Sequence, residues 1–160
     1  MQLSYLISFL FYGSVIIYCS LGVYIFTLHT SSALHRSFFL FCLSLGIWAF
    51  TYSVATCAPD YEECLFWRQI AVFGWGFIYS FLLHFILILT EKQEVLRQKG
   101  IYVLLYLPCL INIYANFLNQ EIARRQFELI YTATGWINIS NTTGWDYFYY
   151  CYYLIITVII

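Results

Sequence analysis

Residues 5–28 read YLISFLFYGSVIIYCSLGVYIFTL, and this run contains no charged residue. A helix of about 20 apolar residues crosses the ~30 Å hydrocarbon core of a bilayer. The run is longer than the apolar segment of a secretory signal peptide, and no basic segment precedes it. It therefore predicts a retained transmembrane helix at the start of the sequence.

Three more apolar runs follow, and a fifth begins near the end of the sequence. The predicted helices cover residues 5–28, 37–58, 67–90, 100–118 and 146–160. Barrel strands would alternate apolar and polar residues, whereas these runs are continuous. We therefore predict an all-α polytopic transmembrane helix bundle with four complete helices and a truncated fifth. The fifth run is still apolar at its last residue, so we expect residues 1–160 to be the front part of a longer protein.

The composition argues against a soluble fold. Hydrophobic residues make up 62% of the sequence and charged residues 9%, with a formal net charge of −1. Soluble domains carry about 25% charged residues, which cover the apolar core. We therefore expect the lipid bilayer to surround most of the chain. The near-neutral charge provides no basic surface, so no nucleic-acid partner is expected.

The charges of the connections predict the orientation in the membrane. Lysine and arginine in short loops near helix ends stay on the cytoplasmic side. The connection at 91–99 carries Lys92, Arg97 and Lys99, and the first connection carries Arg36. Together these two connections carry four basic residues, and the other two carry three. We therefore predict a multi-pass plasma-membrane protein with its N-terminus outside.

The connection at 119–145 lies outside in this topology and is long enough to fold. Acidic and basic residues four apart between 121 and 128 favour a short helix with surface ion pairs. Residues 127–132 favour a strand, which Thr134-Gly135 could turn back on itself. We expect a small folded cap over the outer mouth of the bundle.

The sequence contains no recognisable catalytic motif. A phosphate-binding G-x-x-x-x-G-K-[ST], an H-E-x-x-H zinc motif and a G-x-S-x-G nucleophile turn are all missing. His29, His35 and His84 are not spaced as metal ligands with carboxylates or thiols. We therefore predict that this chain is not an enzyme and requires neither a cofactor nor a metal.

Cys57 and Cys64 flank the acidic second connection, on the outer side of the predicted topology. Disulfides persist in oxidising compartments, and a bridge between these residues would close a short loop. Two free thiols are the alternative, and the sequence leaves both possibilities open.

Five residues near the outer face could form a ligand pocket between the third, fourth and fifth helices. The predicted ligand-binding residues are Arg68, Asn112, Asn116, Tyr149 and Tyr153. The two asparagines are four residues apart, and so are the two tyrosines. Each pair therefore shares one helix face. The charge of Arg68 favours an anionic or strongly hydrogen-bonding ligand. Alternatively, these groups only join helices, and the tyrosines belong to an interfacial aromatic belt.

Three interior side chains have both a structural and a functional interpretation. His84 is the one readily titrating group deep in a predicted span. It could sense protons or bind a ligand, or it could hydrogen-bond to a neighbouring helix. Trp48 and Trp75 lie in the second and third helices, and packing is the interpretation we favour for both.

The order of short motifs along the chain resembles a known family. The segments are Phe38-Phe39-Leu40, Gly46-Ile47-Trp48-Ala49, Phe66-Trp67-Arg68-Gln69-Ile70 with Gly74, Phe81-Leu82-Leu83-His84-Phe85 before Leu89-Thr90, Tyr106-Leu107-Pro108 with Asn116, and Gly135-Trp136 before the Tyr-rich fifth helix. In this order they resemble the seven-transmembrane N-terminal sensor region of bacterial histidine kinases, a module also found ahead of diguanylate cyclases. Family members often carry a histidine shortly after the fourth-helix asparagine, where this sequence has Asn119, Gln120 and Glu121.

The resemblance implies a membrane-embedded sensory input module that controls a cytoplasmic output domain such as a histidine kinase. It also implies a homodimer in the full-length protein. The signal, an unidentified small molecule or a membrane-borne cue, would act by binding two bundle arrangements with different affinity. A fragment of a small transporter or membrane scaffold is the alternative. Transporters commonly show internal repeats and midplane charges, and this sequence shows neither.

Overall fold

The computed structural model describes residues 2–139 and 144–159 of the 160-residue chain. It is 82% helical, and four helices in the described part are long and apolar enough to cross a membrane. These spans are Leu3–Leu28, Ala33–Thr56, Tyr61–Leu89 and Lys99–Leu118. The predicted fold class, an all-α polytopic transmembrane bundle, is confirmed.

Helices dominate the order of elements in the described ranges, and one short hairpin interrupts them. The elements are α1 (Gln2–Leu28), α2 (Ala33–Thr56), α3 (Tyr61–Ile70), α4 (Val72–Leu89), α5 (Gln93–Arg97), α6 (Lys99–Ile113), a π-helical turn (Tyr114–Leu118), α7 (Gln120–Gln126), β1 (Leu129–Thr132), β2 (Gly135–Asn138) and α8 (Gly144–Ile159). The end of the predicted fifth helix, Ile160, lies outside the described residues.

The third span begins earlier than the apolar pattern predicts. α3 starts at Tyr61 rather than at residue 67. The Asp60 side chain accepts a hydrogen bond from the Glu63 amide at 2.9 Å and so caps the helix. Glu62 and Glu63 then lie in the first turn, where negative charge complements the helix dipole. The acidic segment that resembled a loop is therefore the start of a helix.

α2 lies between α1 and α4, and α6 contacts both α4 and α8. Ser8 and Ser53 join α1 to α2, since each side-chain hydroxyl donates to the other residue's carbonyl, at 2.8 and 2.9 Å. Gly74 of α4 lies against the α2 backbone between Ser44 and Trp48. Small residues permit such close approach in lipid, where packing and hydrogen bonds hold helices together.

Pro108 lies inside α6, and the π-helical turn Tyr114–Leu118 follows that helix. Proline has no backbone N–H to donate within a helix, which loosens the local hydrogen-bond ladder. The fourth span is therefore irregular, and its π-helical part contains Asn116.

The connection predicted as a cap contains α7 and the β1–β2 hairpin. The strands pair antiparallel, from Leu129 opposite Asn138 to Thr132 opposite Gly135. Gly135 has a φ of +97°, a backbone conformation that glycine adopts without a Cβ clash. The predicted hairpin is therefore present, with its turn at Ala133 and Thr134 and with Gly135 as the first residue of β2. Residues 140–143 of the predicted cap lie outside the described part of the chain.

The cap is anchored on the end of the bundle where α2 ends and α3 begins. The Trp136 indole N–H donates to the Ala58 carbonyl at 2.8 Å. Arg124 of α7 pairs with Glu62 of α3 at 2.8 Å, and the hydrogen bond to this carboxylate raises the pKa of Arg124. Both partners of the ion pair are exposed, so the half-buried indole contact is the stronger anchor.

Candidate functional site

A cavity of about 440 Å³ lies under the cap, between α2, α4 and α8. Its lining residues are Trp48, Tyr52, Trp75, Ile78, Tyr79, Gln126, Phe127, Asn138, Asp146, Tyr149 and Tyr150. Pockets for small molecules usually measure about 300–1,000 Å³ and combine an apolar lining with a few polar groups. The size and lining of this cavity match that description.

Aromatic rings form most of the cavity wall because they recur at helical spacing. Trp48 and Tyr52 share one face of α2, and Trp75 and Tyr79 share one face of α4. Tyr149 of α8 closes a third side. Its ring centroid lies 5.2 Å from that of Trp75, in an edge-to-face arrangement that aromatic pairs prefer.

Polar groups gather at the cap end of the cavity. Gln126 Nε2 donates to Asp146 Oδ1 at 2.7 Å, and Asn138 Nδ2 donates to the Gln126 carbonyl at 3.4 Å. The Gln126 Oε1 atom is buried and has no hydrogen-bond partner among the residues described. The cavity therefore has an aromatic end in the bundle and a polar end, with one carboxylate, beneath the cap.

Arg68 lies behind the cavity wall and is not one of its lining residues. The residue is 6% exposed, and its Nη2 donates to the Trp136 carbonyl at 2.9 Å. Its guanidinium carbon lies 4.0 Å from the centroid of the Tyr52 ring, within cation–π distance. Arg68 therefore links the cap to a ring of the wall. Direct contact between Arg68 and a ligand stays a prediction.

Asn112 and Asn116 are buried in the fourth span, away from the residues that line the cavity. Asn116 Nδ2 donates to the Asn112 carbonyl at 3.1 Å. In the described ranges, Asn112 Nδ2 and Asn116 Oδ1 have no hydrogen-bond partner. Unpaired buried polar atoms are costly, so this pair remains a predicted polar site separate from the cavity.

The two predicted tyrosines have different positions. Tyr149 lines the cavity, and its hydroxyl donates to the Trp75 carbonyl at 2.8 Å. Tyr153 lies deeper, with its hydroxyl 2.8 Å from Ser80 Oγ, and Ser80 in turn donates to the Leu105 carbonyl. The tyrosine rings are 4.8 Å apart, so the structure brings this pair together. Both residues also hold α8 against the neighbouring helices.

Trp48 packs against Phe11 and Trp75 packs against Tyr149, in agreement with the packing interpretation, and both residues also line the cavity. The signal in the sequence was their spacing to Tyr52 and Tyr79, which places two rings on each face. His84 agrees with its structural interpretation. Its Nδ1 lies 2.7 Å from the Tyr106 hydroxyl, so it joins α4 to α6.

Cys57 and Cys64 are free thiols in the structure. Cys57 Sγ contacts the Ser4 carbonyl at 3.6 Å. Cys64 is fully buried and packs in an apolar cluster that includes Phe127 and Leu129 of the cap segment. The Cys57–Cys64 bridge stays a prediction. The described residues contain no group of three His, Cys, Asp or Glu side chains that could hold a metal ion.

The fold and the cavity define a polytopic helical membrane protein with a capped, ligand-sized site at one end. Residues 10–160 match the family described as the N-terminal 7TM region of histidine kinase, and the chain belongs to that family. The resemblance inferred from the motifs is thereby confirmed. No curated protein and no solved structure matches the chain.

Membership in this family makes the chain a membrane sensory module. The family is a sensor input region and not a catalytic domain. It also indicates a multi-pass location in the plasma membrane, with the lipid bilayer and a cytoplasmic output domain as partners.

Proposed function

We propose that the chain detects an extracellular or membrane-borne signal in the cavity under the cap and thereby controls a cytoplasmic output domain such as a histidine kinase. Family membership supports the sensory role. The observation that carries the proposal is the composition of the cavity wall, which combines α2, α4, α8 and the cap around one ligand-sized space. A single occupant would contact all four elements.

The route to the output domain runs through the contact between α4 and α8. The Tyr149 hydroxyl ties α8 to the Trp75 carbonyl of α4, and both residues line the cavity. An occupant that fits one arrangement of these helices better than another shifts the population toward it. The shift is limited by the difference in affinity, so about 5.5 kcal/mol would be required to move the ratio from 1:99 to 99:1.

The proposed orientation has the N-terminus and the cap outside and the segment with Lys92, Arg97 and Lys99 inside. The basic residues of that segment support this orientation. We also propose that the full-length protein is a homodimer, as the family resemblance implies.

The five predicted ligand-binding residues take different roles in this proposal. Tyr149 contacts the ligand directly. Arg68 acts through the Tyr52 ring, and Tyr153 acts through its ring contact with Tyr149. The asparagine pair of the fourth span, at 112 and 116, provides a second polar site.

Filling the cavity tests the proposal without knowledge of the ligand. Ile78 lines the cavity, and Ile86 of the same helix is 39% exposed outside it. In the full-length protein, Ile78→Trp should change the basal output activity at unchanged membrane abundance. Ile86→Trp, the matched control, should leave that activity unchanged. Equal activities for the wild type and both variants, at equal abundance, would remove the cavity from signal detection.

A further inference from the structure

The lining of the cavity carries charge of one sign. Asp146 contributes a carboxylate, and the described residues that line the cavity include no lysine, arginine or histidine. We propose that the signal molecule is an organic cation, whose positive nitrogen binds between the aromatic rings and Asp146. This inference rests on the proposed sensory function of the same cavity and specifies the ligand class.

Aromatic faces supply the first part of the recognition. The face of an aromatic ring carries partial negative charge and attracts a cation, most strongly for tryptophan. The Tyr149 ring meets the Trp75 ring at 84° and the Tyr79 ring at 66°. Rings at such angles form the walls of a site rather than a flat stack. Aromatic walls of this kind can surround a substituted ammonium group.

The polar end supplies the second part. Asp146 attracts the positive charge, and this attraction is stronger beside apolar walls than in water. The buried Gln126 Oε1 atom, without a partner in the part of the chain described, can accept a hydrogen bond from an ammonium N–H or a hydroxyl group. Gln126 also contacts Asp146 through its amide nitrogen, so the two acceptors lie side by side. A cation with a nearby hydroxyl or amine hydrogen matches both.

Arg68 does not reverse this preference. Its guanidinium already lies over the Tyr52 ring and donates to the Trp136 carbonyl. An anionic ligand in the cavity would face Asp146 and the aromatic rings with no basic lining residue among those described. The charge of the cavity lining therefore favours a cation over the anionic or strongly hydrogen-bonding ligand that the position of Arg68 in the sequence suggested.

Paired ligands of nearly equal shape test the charge requirement. The full-length protein in lipid nanodiscs is titrated calorimetrically with choline, tetramethylammonium and phenyltrimethylammonium. The uncharged carbon isostere of choline, 3,3-dimethylbutan-1-ol, is titrated in parallel. At least one ammonium ion should bind at millimolar or lower concentration, and choline should bind about tenfold more tightly than its isostere.

Two variants locate the binding. Asp146→Asn removes the carboxylate charge and should weaken ammonium binding about tenfold. Glu121→Gln removes an exposed charge that pairs with Arg125 outside the cavity lining, and it should leave the binding unchanged. If Asp146→Asn does not fold, the comparison of choline with its isostere in the wild-type protein still decides the question.

The outcomes separate this inference from the proposed function. If no ammonium ion binds at millimolar concentration, or if choline and its isostere bind equally, the ligand class is wrong. The sensory function then still stands if Ile78→Trp changes the output activity. If filling the cavity leaves the output unchanged, the proposed function itself fails, whatever binds there.

Discussion

Replacement of Gly74 by alanine should separate α2 from α4 and destabilise the bundle. A Cβ atom built on Gly74 would lie 2.4 Å from the Trp48 backbone nitrogen and 2.8 Å from the Ser44 carbonyl oxygen. Ordinary van der Waals contacts begin near 3.4 Å, so the helices must move apart by about 1 Å. Overpacking of a close interface costs about 1–3 kcal/mol. The upper end applies here because both neighbours are backbone atoms.

Gly76 of the same helix is the matched control. Its added Cβ would meet the Val72 side chain at 3.6 Å, an ordinary contact. Alanine also favours helix over glycine by up to about 1 kcal/mol, so Gly76→Ala should be neutral or stabilising. The free energy of unfolding of both variants, measured in mixed micelles by titration with a denaturing detergent, provides the comparison. Equal stability of Gly74→Ala and the wild type would refute the close approach of α2 and α4.

Three further predictions concern topology, the cysteines and the cap. In a background without native cysteines, an impermeant thiol reagent on intact cells should label Ile130→Cys but not Glu94→Cys; the reverse pattern would invert the proposed orientation. Mass spectrometry of non-reduced peptides from protein isolated with rapid alkylation should detect alkylated thiols at Cys57 and Cys64, as in the structure, and a Cys57–Cys64 bridge would contradict this result. Gly135→Ala should loosen the cap at a cost of about 1–3 kcal/mol, because φ is positive and the added Cβ meets an α2 carbonyl at 2.4 Å. Faster amide exchange in β1 and β2 would show this loosening, and unchanged exchange would contradict it.

The fold was predictable because the length of an apolar run is a local property of the sequence. Residues 5–28 alone specify a membrane span, since lipid forces the backbone to satisfy its own hydrogen bonds. The hairpin was equally local, because the turn ends at Gly135, whose positive φ suits glycine. The start of α3 was missed because Asp60 and the acids after it are typical of loops as well as of helix N-termini.

The cavity was less predictable because it depends on how distant segments meet. Whether Trp48 and Trp75 pack or line a space is decided by the approach of α2 to α4 at Gly74. The sequence indicates that Arg68 lies near the capped end of the third span. The direction of its side chain, however, is set by the Trp136 carbonyl, far along the chain. No local pattern specifies that contact.

Occupation of the cavity from outside tests the central claim most directly. The measurement uses the full-length protein with Ile78→Cys in a background without native cysteines, treated on intact cells with a bulky impermeant thiol reagent. The reagent should react at residue 78, remain in the cavity as a tethered occupant and change the activity of the output domain. The same reaction at Ile86→Cys should leave that activity unchanged. Complete labelling at residue 78 without any change in output would contradict the claim that this cavity controls signalling.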